Sequence, residues 1–362
     1  MTTYKLKGIN ALRNVKIKWD FLHAAVKFWD PEDHVFWFKT VELYPTIEEF
    51  SAILGYDPNK KFVAVYYDPK HKEIFSNALG LPTSIIGRMI EGHMVNLHAI
   101  LSRLINKHTY GVTDNLQKNF GSALCFVREL LLCFGRPGFA DAQAISVVSQ
   151  IKGSNNLISL ILPETLLGSD SVFHGEESQN FLGSPLTSQI WLMERLDMIA
   201  RPTVANYGPD SFLNKTVFKT DCQTKRKWVK FLNKKSSAPI QWNCYCWKFP
   251  PPLLRSPGSN HIFIVGLRRA TFYKADRLLR QFQYDQGMLS GRGRKPFTPV
   301  DTNPTSIKNM LLGLEMPNRV DQSFVKAYFH RMTTKYSNWL VHKIADKEAD
   351  MVAMRKQFLR DN

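Results

Sequence analysis

Through the first 200 residues the apolar side chains recur every three or four positions, and beyond them that period gives way to short alternating stretches. The first spacing lines one face of a helix and the second lines one face of a strand, so the two periods constrain the fold more than composition does. The expected class is mainly α with a small antiparallel β hairpin. Phe21, Leu22, Ala25, Val26 and Phe28 make a helical stripe over Trp19 to Phe28. Asp30-Pro31 ends it, because the residue before proline avoids helical geometry. Thr46-Ile47-Glu48-Glu49 is a capping box. The Thr46 hydroxyl accepts from the Glu49 amide while the Glu49 carboxylate reaches back to the Thr46 amide. The helix so started runs through Phe50, Ile53 and Leu54 and stops at Gly55, which takes the left-handed cap without strain.

Phe62 to Tyr67 reads as a short strand or extended loop, and helices are expected over Ile85 to Asn106, Leu116 to Phe134 and Ala140 to Gln150. Ser184-Pro185 starts another, with serine as N-cap and proline at the first helical position. Its stripe is Leu186, Ile190, Trp191, Met193, Leu196 and Ile199, and Arg201-Pro202 closes it. Trp191 sits mid-stripe and is expected in the core. The hairpin is expected between strands near 240–247 and 261–267, with Pro250 to Asn260 as the turn. A helix over Ala275 to Tyr284 and a Gly/Arg loop, Ser290 to Pro296, follow. Gln322 to Leu359 reads as one or two helices, and Leu340, Ile344, Met351, Met354 and Phe358 fall on heptad positions of a coiled coil. These divisions give an N-terminal tail (1–18), a globular domain (19–319) and a C-terminal helical segment (320–362). Within the globular domain, 19–201 is helical and 202–319 is basic and mixed.

The charge is uneven. Residues 1–120 carry +3, residues 121–200 carry −4, and residues 201–362 carry +18, for a net +17. A positive excess of that size attracts polyanions, nucleic acid above all. No apolar run is long enough to span a bilayer, so no membrane partner is expected. Met1 to Asn10 lacks the basic-then-apolar order of a signal peptide, and the chain is expected to stay inside the cell. Five cysteines without a CxxC pair make neither a disulfide framework nor a zinc site, and reduced, buried thiols fit that placement.

Candidate chemistry is narrow. Phosphate-binding loops, nucleophile elbows, HExxH and EF-hand motifs are all missing from the sequence. His93 and His98 stand five apart, on different faces of a helix. No enzyme activity, metal or cofactor is expected. Lys215 to Lys235 holds eight basic residues against Asp221, with Trp228 and Phe231 interleaved. Lys225, Arg226, Lys227, Lys230, Lys234 and Lys235 could track a phosphate backbone while the aromatics anchor the segment; a solvated basic helix face is the alternative. Arg292, Arg294 and Lys295 lie in Gly291-Arg292-Gly293-Arg294-Lys295-Pro296, whose centre is like an AT-hook except that Lys295 precedes the proline. A flexible basic linker is the other reading.

Taken together, several segments resemble the plant mobile domain, a family found in plant retrotransposons and DNA transposons and in host proteins of gene and transposon silencing. They are Phe28-Trp29-Asp30-Pro31, Val41-Glu42-Leu43-Tyr44-Pro45-Thr46-Ile47-Glu48-Glu49-Phe50 with Leu54-Gly55, and Gln189-Ile190-Trp191-Leu192-Met193-Glu194-Arg195-Leu196. Gly266-Leu267-Arg268-Arg269, Tyr273 and an Arg-Gln-Phe box, Asp276-Arg277-Leu278-Leu279-Arg280-Gln281-Phe282 with Gln286, complete the set. The resemblance spans roughly residues 20–345. Thr46, Glu49, Phe50, Gly55, Trp191, Arg277, Arg280, Gln281 and Phe282 are its motif residues. Leu278, Leu279 and Phe282 are expected to form a core face and Asp276 to pair with Arg280. Arg277 and Arg280 are the positions where a ligand contact is conceivable.

The resemblance implies a helical fold, a nuclear location and a transposon-derived, non-enzymatic role in association with DNA, RNA or chromatin. A protein-interaction scaffold, with partners or self-association along the C-terminal helix, is the competing expectation.

Overall fold

The computed structural model describes residues 12, 15–39, 41–57, 70–92, 94–105, 121, 123, 124, 127, 138–151, 156–175, 181–198, 222–235, 240–242, 261–267, 270–274, 277–286 and 332–361. Helices dominate, and three small antiparallel sheets are set among them. Helix α1 (Trp19–Ala25) passes through a 3-10 turn (Val26–Phe28) into a meander of β1 (Trp29–Asp30), β2 (Val35–Phe38) and β3 (Val41–Leu43). Every strand residue of that meander is buried. Asp30 shapes its first turn. One carboxylate oxygen accepts from the Glu32 amide (3.0 Å) and the other from the Trp37 indole (3.2 Å).

Helix α2 (Ile47–Leu54) has the expected caps: the Glu49 amide donates to the Thr46 hydroxyl (3.2 Å), and Gly55 is left-handed at φ 70°. The reciprocal arm differs. The Thr46 hydroxyl itself donates to Glu49 (2.8 Å), because the Glu49 carboxylate is turned inward toward an arginine. Helices α3 (His71–Leu79) and α4 (Thr83–Gly87) lead to β4 (Ile90–Glu91), β5 (Met94–Asn96) and α5 (Leu97–Ile105). The single helix expected over Ile85 to Asn106 is therefore broken. Gly92, at φ 62°, turns a hairpin there, and β5 pairs onward with the distant β6 (Phe139–Asp141). Asp141 accepts from the Gln143 amide (2.9 Å) as α6 (Gln143–Ile151) begins. Of the expected helix 116–134, only residues 121, 123, 124 and 127 are described, and Phe62 to Tyr67 lies outside the described residues.

Helix α7 (Ile158–His174) runs through the middle and contains Pro163. It is buried almost all round, packing against α2, the first meander and the last hairpin. The chain from Phe181 to Ser184 crosses it at close range. A Cβ on Gly168 would meet the Leu182 carbonyl oxygen at 2.3 Å, and one on Gly183 (φ 79°) would meet Thr165 backbone at 2.4 Å. Helix α8 (Pro185–Arg195) starts as expected, with Ser184 accepting from the Thr187 amide and Trp191 in the core, but it ends at Arg195, several residues early. Gln189 clamps the chain before α1: it accepts from the Lys18 amide (2.6 Å) and donates to the Lys16 carbonyl (3.0 Å). Leu12 and Val15, within the expected N-terminal tail, are also buried.

After α9 (Lys225–Asn233), the hairpin is β7 (His261–Val265) with β8 (Ala270–Lys274). Of the expected partner near 240–247, residues 240–242 form no strand and residues 243–247 lie outside the described residues; β7 pairs with β8, a few residues on. The expected helix over Ala275 to Tyr284 is a 3-10 turn (Leu279–Phe282) closed by Gln283 at φ 66°. The last element is one helix, α10 (Thr334–Asp361). Its Leu340 and Ile344 pack on the body of the protein, so those two heptad positions are used inside the chain.

Candidate functional site

Two groups of charged residues stand out, one inside the molecule and one on its surface. The interior group is built on the meander. Arg277, just after β8, donates from Nη1 to Asp33 (2.7 Å) and from Nε (3.0 Å) and Nη2 to the two oxygens of Glu42. Lys274 also pairs with Asp33, and Lys343 of α10 lies 3.5 Å from it. The Tyr336 and Tyr44 hydroxyls donate to Glu42 at 3.2 and 3.4 Å. The Arg277 guanidinium stands 4.6 Å from the Trp339 ring centre, with Tyr44 and Trp37 at 5.5 and 5.8 Å. Burial would push the Asp33 carboxyl up, but Arg277 and Lys274 together hold it well below the usual carboxylate range. Burial raises Glu42 against the pull of Arg277. The donors around Glu42 all meet acceptor oxygens, so it is held as a carboxylate.

Glu49, Arg195 and Gln281 form the adjoining layer. Arg195, at 0% exposure, pairs with Glu49 and donates to the carbonyls of Gln241 (2.8 Å) and Trp242 (2.9 Å). Gln281 behaves like a strand neighbour of Tyr44, accepting from its amide (2.6 Å) and donating to its carbonyl (2.7 Å). Its side-chain nitrogen also reaches Glu49 (3.3 Å). The capping box, the Trp-centred helix and the Arg-Gln-Phe box thus meet at one buried network.

A third element is His34, buried with Nδ1 at 2.7 Å from the Phe272 carbonyl and Nε2 at 3.2 Å from Asp170, which also accepts from the Trp29 indole (2.7 Å). Both ring nitrogens face acceptors, which suits the imidazolium. Burial lowers its pKa, but the Asp170 bond and charge outweigh it, so the net direction is up. Thr271 Oγ1 lies 3.4 Å from Nδ1, giving a hydroxyl, an imidazole and a carboxylate in a row. The row is not a nucleophile relay: the Phe272 carbonyl takes the nitrogen that would receive the proton, and Thr271 and His34 are both buried.

The motif residues are thus sorted by what they touch. Thr46, Glu49 and Gln281 belong to the network, and Phe50, Trp191 and Phe282 pack in the core, as do Leu278 and Leu279. Arg277 is committed to Asp33 and Glu42. Arg280 is half-buried, its guanidinium 3.9 Å from the Trp242 ring centre and Nη1 3.5 Å from the Met332 sulfur. Its expected partner Asp276 lies outside the described residues. Sequence reasoning missed Asp33, His34, Glu42, Asp170, Arg195 and Tyr336. For Glu42 and Arg195 the signal was charge inside an otherwise apolar segment. Among the described residues, no group of three or more His, Cys, Asp or Glu side chains is placed to hold a metal ion.

The surface group is helix α9. Thr224 caps it by accepting from the Lys227 amide (3.4 Å), and Trp228, Val229 and Leu232 are buried. The Trp228 ring meets Phe21 of α1 edge-on at 5.1 Å. Arg226, Lys227, Lys230 and Lys234 are exposed, and Lys225 is half-buried. Lys235 is diverted: its Nζ donates to the Leu196 carbonyl (2.8 Å), closing the end of α8, and lies over the Phe231 ring. Arg292, Arg294 and Lys295 lie outside the described residues, as do Lys215 and Lys219.

A family model described as "Domain of unknown function (DUF7745)" matches residues 4–289, more than three quarters of the chain. The chain belongs to this family. No curated protein and no solved structure matches it. The matched stretch of the DUF7745 domain contains Asp33, Glu42, Glu49, Arg195, Arg277 and Gln281, so the buried network lies wholly within the family region except for its partners on α10.

Proposed function

We propose that this DUF7745 chain is a non-enzymatic module that associates with nucleic acid or chromatin through the basic face of α9, in a transposon-derived setting of the plant-mobile-domain kind and in the nucleus. The observation that carries the reading is the division of α9. Its apolar side is locked against α1 by Trp228, Val229 and Leu232, while Arg226, Lys227, Lys230 and Lys234 face solvent on a rigid helix. Such a face places several cations along a phosphate backbone at little further entropic cost. The +18 carried by residues 201–362 supplies the longer-range attraction. The non-enzymatic part is supported by the interior, where Asp33, Glu42, Glu49, His34, Arg195 and Arg277 are all engaged with one another or with backbone. No helix among the described residues is long and apolar enough to cross a membrane.

Titration of the chain against DNA and RNA at increasing salt tests the reading. Affinity is expected to fall steeply and linearly on log–log axes, by about 0.9 per neutralised phosphate on duplex DNA. Absence of binding at low salt would overturn it in favour of the scaffold reading. That second reading is favoured by α10, where Val341 is 62% exposed beside the turns that dock on the core.

A further inference from the structure

We propose that Trp19 and His23 form a stacking platform beside the basic face of α9, and that the nucleic acid this chain takes is therefore single-stranded. The inference rests on the nucleic-acid reading above and specifies its partner. Trp19 is 43% exposed, one of three large apolar side chains so exposed among the described residues. It stands on α1, the helix against which α9 is packed, and its ring centre lies 6.2 Å from that of His23 at an interplanar angle of 31°. Trp19, His23 and Lys27 recur at four-residue intervals along one side of this segment, and Lys225, the first residue of α9, adds its charge to theirs. Two flat rings thus lie on the segment that carries Lys27, with Lys225 of α9 beside it.

The platform is held still. Gln189 fixes the backbone of Lys16 and Lys18 immediately before Trp19, so the ring is presented from an anchored helix start. Burial, then the charge of Lys225, lowers the His23 pKa against the opposing pull of Asp20, which favours a neutral imidazole suited to stacking. Burial, then Lys225, also lowers Lys27, and a bound phosphate would relieve that repulsion. Asp20, on the same helix as Trp19, attracts Lys225 and His23 and partly offsets this positive charge. A base can lie on an indole face only when it is not already stacked within a duplex. A cationic helix alone serves either form, whereas an exposed tryptophan adjoining it serves the single strand.

The test compares the full chain with Trp19→Ala and Trp19→Phe on oligo(dT), oligo(rU) and a mixed-sequence duplex of equal length, at several salt concentrations. Trp19→Ala is expected to weaken both single strands about tenfold or more, with Trp19→Phe retaining most of the affinity and the duplex unaffected. The salt slope should not change in either variant, since every phosphate keeps its cation. If the parent chain binds with a steep salt slope but Trp19→Ala binds oligo(dT) and oligo(rU) as the parent does, the stacking platform is overturned and the basic-face reading survives. Equal losses on single strands and duplex also overturn it. No binding by the parent chain overturns both.

Discussion

Arg277 and Arg226 are both arginines near a tryptophan and close to other cations, yet they are used in opposite ways. Arg277 is buried, meets Asp33 and Glu42 with both ends of its guanidinium, and faces Trp339, Tyr44 and Trp37. Arg226 stands exposed on α9, whose tryptophan is buried in the core. In the interior, charge is matched locally and the aromatics close over it. On the surface, the aromatic serves as an anchor and charge is left to act outward. Charge count alone therefore says little about either arginine. The network around Glu49 and Glu42 specifies how α2, α8, the first meander and the last hairpin meet, and the α9 face plays no part in that.

The interior arrangement is the more sensitive of the two to substitution. Arg195→Ala would leave Glu49 buried without its cation, and a loss of about 3–5 kcal/mol is expected in chemical denaturation. Arg277→Ala should behave alike. Trp191→Ala, which removes a fully buried indole from α8, is expected to cost about 3–5 kcal/mol as well. Stabilities within about 1 kcal/mol of the parent would show that the interior network does not hold these elements together.

A smaller effect is expected from His34, and it carries a sign. Its folded-state pKa is raised above the ordinary 6.5, with Asp170, Asp30 and the Phe272 carbonyl facing it. Such a group contributes its full stability below the unfolded value and loses it as pH rises through the folded value. Denaturation midpoints should therefore fall on the alkaline side of about 6.5 in the parent chain, and His34→Gln should flatten that fall. Asp33 has the opposite sign. Its lowered pKa gives stability that is present above the ordinary carboxylate value and is lost as pH falls. Matching pH profiles for the parent and His34→Gln would show that the imidazolium contributes nothing. Smallest of all is the expected effect of Arg226→Ala on stability, within about 0.5 kcal/mol in either direction, as for an exposed surface position.

What could be read from the sequence was local. Thr46 and Glu49 lie three residues apart, and Ser184-Pro185 caps its own helix, so the starts of α2 and α8 were legible. Helix α7 was not. It carries Pro163 and Gly168 and is buried almost all round, so no polar face set a period against which a stripe could be seen. The break after α4 was hidden for another reason: β5 finds its partner β6 far along the chain, and the intervening sequence does not announce the pairing. The interior site suffered most, since Arg195 meets Glu49 across 146 residues and Arg277 meets Glu42 across 235. The basic run at 225–235 was visible at once, but the structure was needed to separate Lys235, which closes α8, from the outward-facing cations.

Whether the surface charge is reserved for a polyanion can be decided by one pair of salt titrations, the parent chain against Lys225→Ser/Arg226→Ser/Lys227→Ser, on the same oligonucleotides. The log–log slope is predicted to be shallower in the variant, by up to about 0.9 for each phosphate left without its cation on duplex DNA, with no change in sequence preference. An identical slope in parent and variant, with the variant still folded, would contradict the outward role of α9.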